Sequence, residues 1–225
     1  MKNKVVTIEE ALSHIKSGMD VMIGGFAAVG SPNNLAMAMS KMPLENMGII
    51  ANDFGACDHG FDQGANCLLD TDMVKRAIVS FLGTSPKAVK RGQEGLAEYE
   101  FVPMGIFAER IRAAGAGLGG IYSPVGVGTL VAEGKETRVI DGKEYILEKP
   151  IHADVALVKA YKADTFGNAV CLYTATNFNL AMAMAADFVI LEVEEVVDLG
   201  EIHPNAVTIP GVFVDCVVEC KEVLV

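Results

Sequence analysis

Five short apolar runs, separated by helical patterns, constrain the fold of this chain more than any other feature of its sequence. They lie at residues 21–23, from residue 47 onward, and at residues 77–81, 153–158 and 188–193, and helices are predicted at residues 106–114 and 180–186. Apolar runs of this length without polar alternation are typical of parallel strands that are covered on both faces. We therefore predict an α/β fold with an open, mainly parallel sheet flanked by helices.

The loop after the first run combines three glycines with a proline. Gly24 and Gly25 follow the strand directly, and Gly30 comes shortly after them. Ser31 is the expected N-cap of the next helix and Pro32 its first residue. Ligands of open α/β sheets bind beyond the carboxyl ends of strands, and loop N–H groups there can hold an oxyanion. The alternative is a tight strand-to-helix turn that binds nothing.

Residues 115–148 interrupt the alternation of strands and helices. Asp141 and Gly142 separate two strand-like arms, and an Asp-Gly pair is a strong signal for a two-residue hairpin turn. We expect this segment to be a hairpin-containing excursion outside the parallel sheet. The chain has 225 residues and shows no clear boundary, so residues 1–225 are predicted to form a single domain.

The net charge limits which kinds of molecule this chain is expected to bind. The chain has 18 basic and 29 acidic residues, a net charge of −11, which argues against nucleic-acid binding because that requires a basic face. A small anionic ligand stays compatible with this balance. No apolar run approaches the roughly 18 residues needed to span a bilayer, and no apolar signal segment follows the first residues. We expect a cytoplasmic protein that does not bind membranes.

The motifs resemble those of the 3-oxoacid coenzyme A transferases, and specifically their alpha chain. The first signature, D-x-x-I-G-G-F-x-x-x-G-x-P, occupies residues 20–32. Further matches follow in order along nearly the whole chain: IANDFG at 50–55, GTSP at 83–86, the AERIRAAGAGLGG segment from 108, KADTFGN at 162–168, TNFN at 176–179, AADFVILEVEE at 185–195 and IPGVFVD at 209–215.

The resemblance implies transfer of coenzyme A between a short-chain acyl-CoA and a free acid such as acetate, butyrate or acetoacetate. Coenzyme A is then a substrate, and neither a permanently bound cofactor nor a metal is expected. The family's nucleophilic glutamate lies in a Ser-Glu-Asn-Gly motif of the B (beta) subunit, which this sequence lacks. We therefore expect no catalytic nucleophile in this chain, and a heterodimer or heterotetramer formed with a B subunit.

The resemblance also assigns site residues. It implies a coenzyme-binding loop made of Gly24, Gly25, Phe26, Ala27, Ala28, Val29 and Gly30. Asn52, Met104 and Gly105 are expected to line the substrate site. The family commonly has Pro-Gln-Gly-Thr where this chain has Pro103-Met104-Gly105-Ile106. If this segment faces the acyl group, the change favours a less polar acid, and if it faces the core, Met104 and Ile106 are packing residues.

Two other functions remain open from the sequence. One is a stand-alone sugar-phosphate isomerase, because such enzymes share a similar sheet, and the other is a non-catalytic acyl-CoA-binding module. A G-x-G-x-x-G string at residues 115–120 follows a helix instead of opening one, which argues against dinucleotide binding. A metal cluster of Asn52 and Asp53 with Asp58, His59 and Asp62 matches no helical pair and no known chelate spacing. The basic residues considered for coenzyme phosphates are Lys87, Lys90, Arg91, Arg110 and Arg112.

Overall fold

The computed structural model describes residues 2–55, 57–58 and 61–221. The strands are β1 Asp20–Ile23, β2 Met47–Ile50, β3 Cys57–Asp58, β4 Phe61–Asp62, β5 Val74–Val79, β6 Glu98–Phe101, β7 Ile121–Ser123, β8 Thr137–Ile140, β9 Lys143–Glu148, β10 Ala153–Lys159, β11 Lys162–Asp164, β12 Ala169–Val170, β13 Ala186–Val193, β14 Glu195–Val197 and β15 Cys216–Glu219. The α-helices are α1 Ile8–Leu12, α2 Asn33–Met39, α3 Pro86–Gln93, α4 Met104–Gly115 and α5 Asn179–Ala185. Short 3-10 segments cover Gly64–Asp70, Leu130–Ala132, Tyr173–Thr176, Pro204–Ala206 and Gly211–Phe213.

A seven-stranded sheet in the order β15-β13-β10-β1-β2-β5-β6 forms the centre of the fold, and all of its strand pairs are parallel. The predicted α/β class and parallel sheet are therefore confirmed. From β1 the chain first builds β2, β5 and β6 on one side. It then crosses back to place β10, β13 and β15 on the other side. The strand order thus reverses at the pair β1 and β10, where open sheets form a crevice at their carboxyl edge.

Both faces of the central strand are buried, which explains its uninterrupted apolar sequence. Val21 and Ile23 belong to one hydrophobic cluster with Leu35 of α2, whereas Met22 belongs to a second cluster with Phe107 of α4. Side chains alternate across a strand, so a strand covered on both sides needs apolar residues at every position. The two clusters fix β1 and place the loop that follows it at the carboxyl edge of the sheet.

The excursion forms a separate small sheet. Strands β7, β9 and β8 pair antiparallel in that order, and β8 and β9 are joined at Asp141 and Gly142. Both turn residues have positive φ, +49° and +77°, as the two-residue hairpin requires. The predicted hairpin is confirmed. A third sheet, β12-β11-β14, lies beyond the carboxyl end of β10 and was not predicted from the sequence.

The start of α2 differs from the prediction. Pro32 is the N-cap and Asn33 the first helical residue, and the helix start has no side-chain cap bond. Ser31 therefore does not cap this helix; instead, its hydroxyl occupies the space that a side chain at Gly25 would need. The first helix does have a side-chain cap, because the Thr7 hydroxyl accepts a hydrogen bond of 3.2 Å from the Glu10 N–H.

Other boundaries shift by a few residues. Strand β5 starts at Val74 and ends before Phe81, and α5 passes at Ala186 directly into β13. Strands β6 and β15, at the two edges of the sheet, were missed because β6 carries two glutamates and β15 follows a loop rich in turns. Among the described residues, no helix combines the length and the apolar character that crossing a membrane would require.

Candidate functional site

The loop after β1 lies at the crevice where the strand order reverses. The Gly24 N–H donates to the Leu157 carbonyl of β10 over 2.9 Å, so the loop leaves the sheet beside that neighbouring strand. A β-carbon at Gly24 would overlap the side chain of Asn179, and one at Gly25 would overlap the hydroxyl of Ser31. Gly25 also has φ of +110°, which strains any other residue. The two adjacent glycines are therefore required by close packing and, at Gly25, by conformation.

Between the glycines the chain makes a two-residue turn. The Phe26 N–H donates to the Val29 carbonyl over 3.0 Å, and the Val29 N–H donates back to the Phe26 carbonyl over 2.9 Å. The turn residues Ala27 and Ala28 have φ of +47° and +74°. An L-residue in this region costs roughly 1–2 kcal/mol. Such strain persists only where the surroundings fix it, and it is concentrated at functional sites.

Asp53, which follows β2, fixes the turn from one side. Its Oδ2 accepts hydrogen bonds from the Ala27 N–H at 3.0 Å and the Asn52 Nδ2 at 2.7 Å. Its Oδ1 accepts one from the Gly55 N–H at 2.7 Å. Hydrogen bonds to a carboxylate are about twice as strong as neutral ones. Three of them fix the Asp53 side chain, and the one from the Ala27 N–H ties it to the turn.

Two asparagines of the TNFN motif fix the turn from the other side. Asn177 Nδ2 donates to the Val29 carbonyl over 2.8 Å. Asn179 is fully buried, and its Nδ2 donates to the Gly30 carbonyl over 2.9 Å while its Oδ1 accepts from the Lys159 N–H at 3.0 Å. The motif thus ties the loop to the end of β10, a role that the sequence analysis did not assign to it.

These bonds change the expected role of the loop N–H groups. The N–H groups of Gly24, Phe26, Ala27, Val29 and Ser31 already donate to acceptors within the protein. The Leu35 N–H of α2 donates to Glu192. The N–H groups of Gly25, Ala28 and Gly30 have no acceptor among the described residues, so binding of an oxyanion by this loop stays a prediction that is limited to these three groups. The carbonyls of Phe26, Ala28, Val29 and Gly30 accept hydrogen bonds within the protein, so the turn is a wall that presents mainly side chains to its surroundings.

A cavity of about 420 Å³ lies on the β10 side of the turn, and we call it the crevice cavity. Its lining includes Ala28, Val29, Lys159, Tyr161, Tyr173 and Glu194. The Lys159 ammonium lies 3.5 Å from Glu194 and 3.6 Å from the buried Glu192, so carboxylates balance its charge. Tyr173 is almost fully exposed and has φ of +51°, so it is a third strained residue at this site, after Ala27 and Ala28.

Glu192 anchors the helix that follows the loop. Its carboxylate is buried and accepts hydrogen bonds from the Leu35 N–H at 3.0 Å and the Asn34 Nδ2 at 3.2 Å. Burial raises the pKa of Glu192, against the opposing effects of these hydrogen bonds and of Lys159. Glu192 does not line either cavity beside the turn, so its described contacts are those of a structural group.

A second cavity of about 370 Å³ lies on the other side of the turn, and we call it the Met104 cavity. Its lining consists of Phe26, Ala27, Asn52, Asp53, Ser80, Phe81, Thr84 and Met104. The structure thus brings the predicted residues Asn52 and Met104 together with the loop. Gly105 is in the first turn of α4 and is not among the lining residues. Met104 is half exposed, so it is not a core packing residue.

The structure places the basic candidates for phosphate contacts in ion pairs away from both cavities. Lys87 lies 2.7 Å from Asp70, and Lys90 lies 3.8 Å from Glu94. The three arginines likewise contact acidic groups: Arg91 with Asp72, Arg110 with Glu100 and Glu148, and Arg112 with Glu109. Lys159 is the cation that the sequence analysis missed, although it directly follows a predicted strand, where ligand-contacting residues are expected.

The remaining sequence signals give no site in the described part of the chain. The G-x-G-x-x-G string leads from α4 into strand β7, not into a helix. His59 and the side chains of Asp58 and Asp62 lie outside the described residues. Within the residues that are described, no group of three or more His, Cys, Asp or Glu side chains is placed to hold a metal ion.

Comparison with known proteins gives consistent matches. A family model described as "Coenzyme A transferase" matches residues 5–220. The chain is 38% identical to the alpha chain of the acetate CoA-transferase of Escherichia coli K12, covering 99% of both chains. It is 47% identical to the corresponding chain of the 3-oxoadipate CoA-transferase of Acinetobacter baylyi, covering 96% of this chain and 94% of the relative.

A solved structure shows the same fold in a longer chain. An acyl-CoA transferase of Escherichia coli O157:H7, determined as a thioester complex with CoA, superposes with a TM-score of 0.88 at 25% identity. The match covers 99% of this chain and 48% of that one. The chain therefore spans about half the length of this solved transferase.

Proposed function

Because this chain belongs to the coenzyme A transferase family, we propose that it is the alpha chain of a two-chain enzyme that transfers coenzyme A between acids. The donor is a short-chain acyl-CoA, and the acceptor is a free carboxylate such as acetate, butyrate or acetoacetate. The names of the relatives support this, because each is one of the subunits of such an enzyme and has a similar length. The proposed assembly is a cytoplasmic heterodimer or heterotetramer with a B subunit.

The proposed reaction proceeds through a glutamate of the B subunit. Its carboxylate attacks the thioester carbonyl, the CoA thiolate leaves, and an acyl-glutamyl anhydride forms. The thiolate then attacks the glutamyl carbonyl and releases the original acid, which leaves a glutamyl-CoA thioester. The acceptor acid reverses both steps. Covalent catalysis of this kind divides one difficult transfer into two easier ones. The absence of Ser-Glu-Asn-Gly from this sequence is the reason for placing the nucleophile in the partner.

One observation carries the proposed role of this chain: a strained turn, fixed by Asp53 and by Asn177, separates two cavities at the point where the strand order reverses. Open α/β sheets bind ligands at this point. We assign the coenzyme to the crevice cavity and the acyl group to the Met104 cavity, with residues 24–30 as the wall between them. A rigid wall positions the thioester and excludes water from the activated intermediates.

Coexpression with candidate B chains from neighbouring reading frames tests this proposal. Exchange between acetyl-CoA and butyrate is measured for this chain alone, for each partner alone and for the complex. We expect turnover only from the complex. Trapping with borohydride or hydroxylamine, followed by peptide mass spectrometry, should place the modified glutamate on the partner.

The same experiment distinguishes the alternatives. An isomerase would act without a partner and would need a carboxylate in its cavity, for which Glu194 is available. Sugar-phosphate isomerisation by the isolated chain, abolished by Glu194→Gln, would therefore contradict transferase function. An acyl-CoA-binding module would bind coenzyme A as an isolated chain and give no turnover with any partner. Modification of a glutamate on this chain would contradict the assignment of the nucleophile.

A further inference from the structure

The relatives differ in the chemistry of the acids they are named for. Acetate carries one carboxylate, whereas 3-oxoadipate carries two, and the 3-oxoadipate relative is the more similar of the two at 47% against 38% identity. Overall identity therefore does not decide whether this chain handles acyl groups with a second carboxylate. The chemistry of the Met104 cavity gives independent evidence on this question.

The side chains of the Met104 cavity form a predominantly apolar surface. Phe26, Phe81 and Met104 contribute two rings and a thioether, and Ala27 adds a methyl group. Phe26, Phe81 and Met104 are 41%, 55% and 51% exposed, so they are large apolar side chains that the chain leaves open to a ligand. Such surfaces favour alkyl groups, because each buried methylene contributes to binding through removal of apolar area from water.

The charge in this cavity has the wrong sign for a second carboxylate. Among its described lining residues there is no Lys, Arg or His, and Asp53 is the acidic one. The Asp53 carboxylate is held in place by three N–H donors, so it cannot turn away from an approaching anion. A carboxylate that leaves water needs a cation or several donors, and like charges at short distance repel.

The neutral polar groups do not replace the missing cation. Asn52 Oδ1 and Ser80 Oγ are buried without a hydrogen-bond partner among the described residues. The Asn52 Oδ1 is an amide oxygen and can only accept hydrogen bonds, and one of the two N–H groups of its Nδ2 already donates to Asp53. Ser80 and Thr84 each offer one hydroxyl donor. Two neutral hydroxyls beside an acceptor and the Asp53 carboxylate suit an uncharged group better than an anion.

We propose, on the basis of the function proposed above, that the Met104 cavity makes this enzyme selective for monocarboxylic acids with an uncharged alkyl chain and excludes dicarboxylates. Butyrate and succinate test this directly, since both have four carbons and differ by a methyl group against a carboxylate at the far end. For the intact two-chain enzyme with acetyl-CoA as donor and isotope-labelled acids as acceptors, we expect kcat/KM for butyrate to exceed that for succinate by at least about 100-fold. Each methylene from acetate to butyrate should raise kcat/KM by about tenfold.

Equal or faster exchange with succinate in the wild-type complex would overturn the proposal, and so would equal rates for acetate and butyrate. Absence of exchange with all three acids would instead contradict the proposed function itself, and this inference with it. The acid series requires no variant, so it decides the question even if a substituted protein fails to fold.

Met104→Arg sharpens the test by adding the missing cation. A hydrogen-bonded guanidinium should raise the succinate-to-butyrate ratio of kcat/KM by about 10–100-fold. Leu199→Arg is the matched control, because Leu199 is 49% exposed, follows β14 and does not line the Met104 cavity. We expect Leu199→Arg to leave the ratio unchanged. An equal change in both variants, or no change with Met104→Arg in a folded complex, would contradict the role of this cavity.

Discussion

Two turns of this molecule have nearly the same φ angles, but the residues of one turn prefer these angles and the residues of the other do not. In the hairpin between β8 and β9, Asp141 and Gly142 have φ of +49° and +77°. In the loop after β1, Ala27 and Ala28 have φ of +47° and +74°. Asp-Gly is among the residue pairs that prefer this conformation, whereas Ala-Ala opposes it. The same geometry therefore results from local preference in one place and from imposed contacts in the other.

The surroundings of the two turns explain the difference. The hairpin turn is exposed, and a β-carbon at Gly142 would meet no atom within 4 Å. The Ala27 turn is held by Asp53, Asn177 and Asn179, which come from distant places in the chain. Strain maintained by distant residues supports the role proposed for the second turn as the wall between the two cavities. The hairpin turn needs only to reverse the chain.

Among the substitutions that test this comparison, Gly25→Val should have the largest effect on activity. The added side chain would overlap Ser31 and would have to adopt φ of +110°, so it should deform the turn at its first residue. A displacement of about 1 Å at a site can cost about 100-fold in rate, and we expect a loss of this size in kcat/KM for acyl-CoA. Circular dichroism should show unchanged secondary structure.

Gly119→Val is the control for that substitution. A β-carbon at Gly119 would meet no atom within 4 Å, and its φ lies outside the left-handed region. This variant should keep a normal kcat/KM for acyl-CoA. If Gly25→Val kept a normal kcat/KM as well, the loop would be only a connection between strand and helix.

Exchanging glycine and alanine between the two turns should have an intermediate effect, on the free energy of unfolding. Gly142→Ala should lower the free energy of unfolding by about 1 kcal/mol, because alanine is strained at φ of +77°. Ala28→Gly should raise it by up to about 1 kcal/mol, because the strain is relieved. Urea unfolding measures both. Only Ala28→Gly should reduce exchange activity, since it loosens the wall between the cavities, and reduced activity in Gly142→Ala instead would contradict this interpretation.

The smallest effect is expected from replacing Glu192, the buried carboxylate that anchors α2 after the strained turn. Burial raises the pKa of Glu192, so the folded chain binds this proton more tightly than the unfolded chain does. Its contribution to stability is complete below the ordinary glutamate pKa of about 4.3 and is lost as the pH rises through the raised value. Glu192→Gln should therefore make the melting temperature less dependent on pH above the ordinary glutamate pKa of about 4.3. The exposed Glu133→Gln should not, and an unchanged profile in Glu192→Gln would contradict the assignment.

The sequence was sufficient for features that depend on local chemistry. Apolar runs predicted the parallel strands, and the Asp141-Gly142 pair predicted the hairpin, because neighbouring residues determine both. The Ala27 turn and the bonds of Asn177 and Asn179 were not predicted, because they depend on residues far apart in the chain. The motif resemblance did select the loop that lies between the two cavities, and the structure brought Asn52 and Met104 to it. Lys159 was missed because a lone lysine carries no pattern.

The position of the turn between the crevice cavity and the Met104 cavity has a consequence for how the acid preference of such enzymes can change. Among the described residues, the two cavities share one lining residue, Ala27. Substitutions at Phe81, Thr84 or Met104 therefore alter one chamber and leave Lys159 and Tyr173 in the other untouched. Under the proposed assignment, substitutions in the Met104 cavity can change which acid an enzyme accepts, while the residues that line the coenzyme's cavity stay the same.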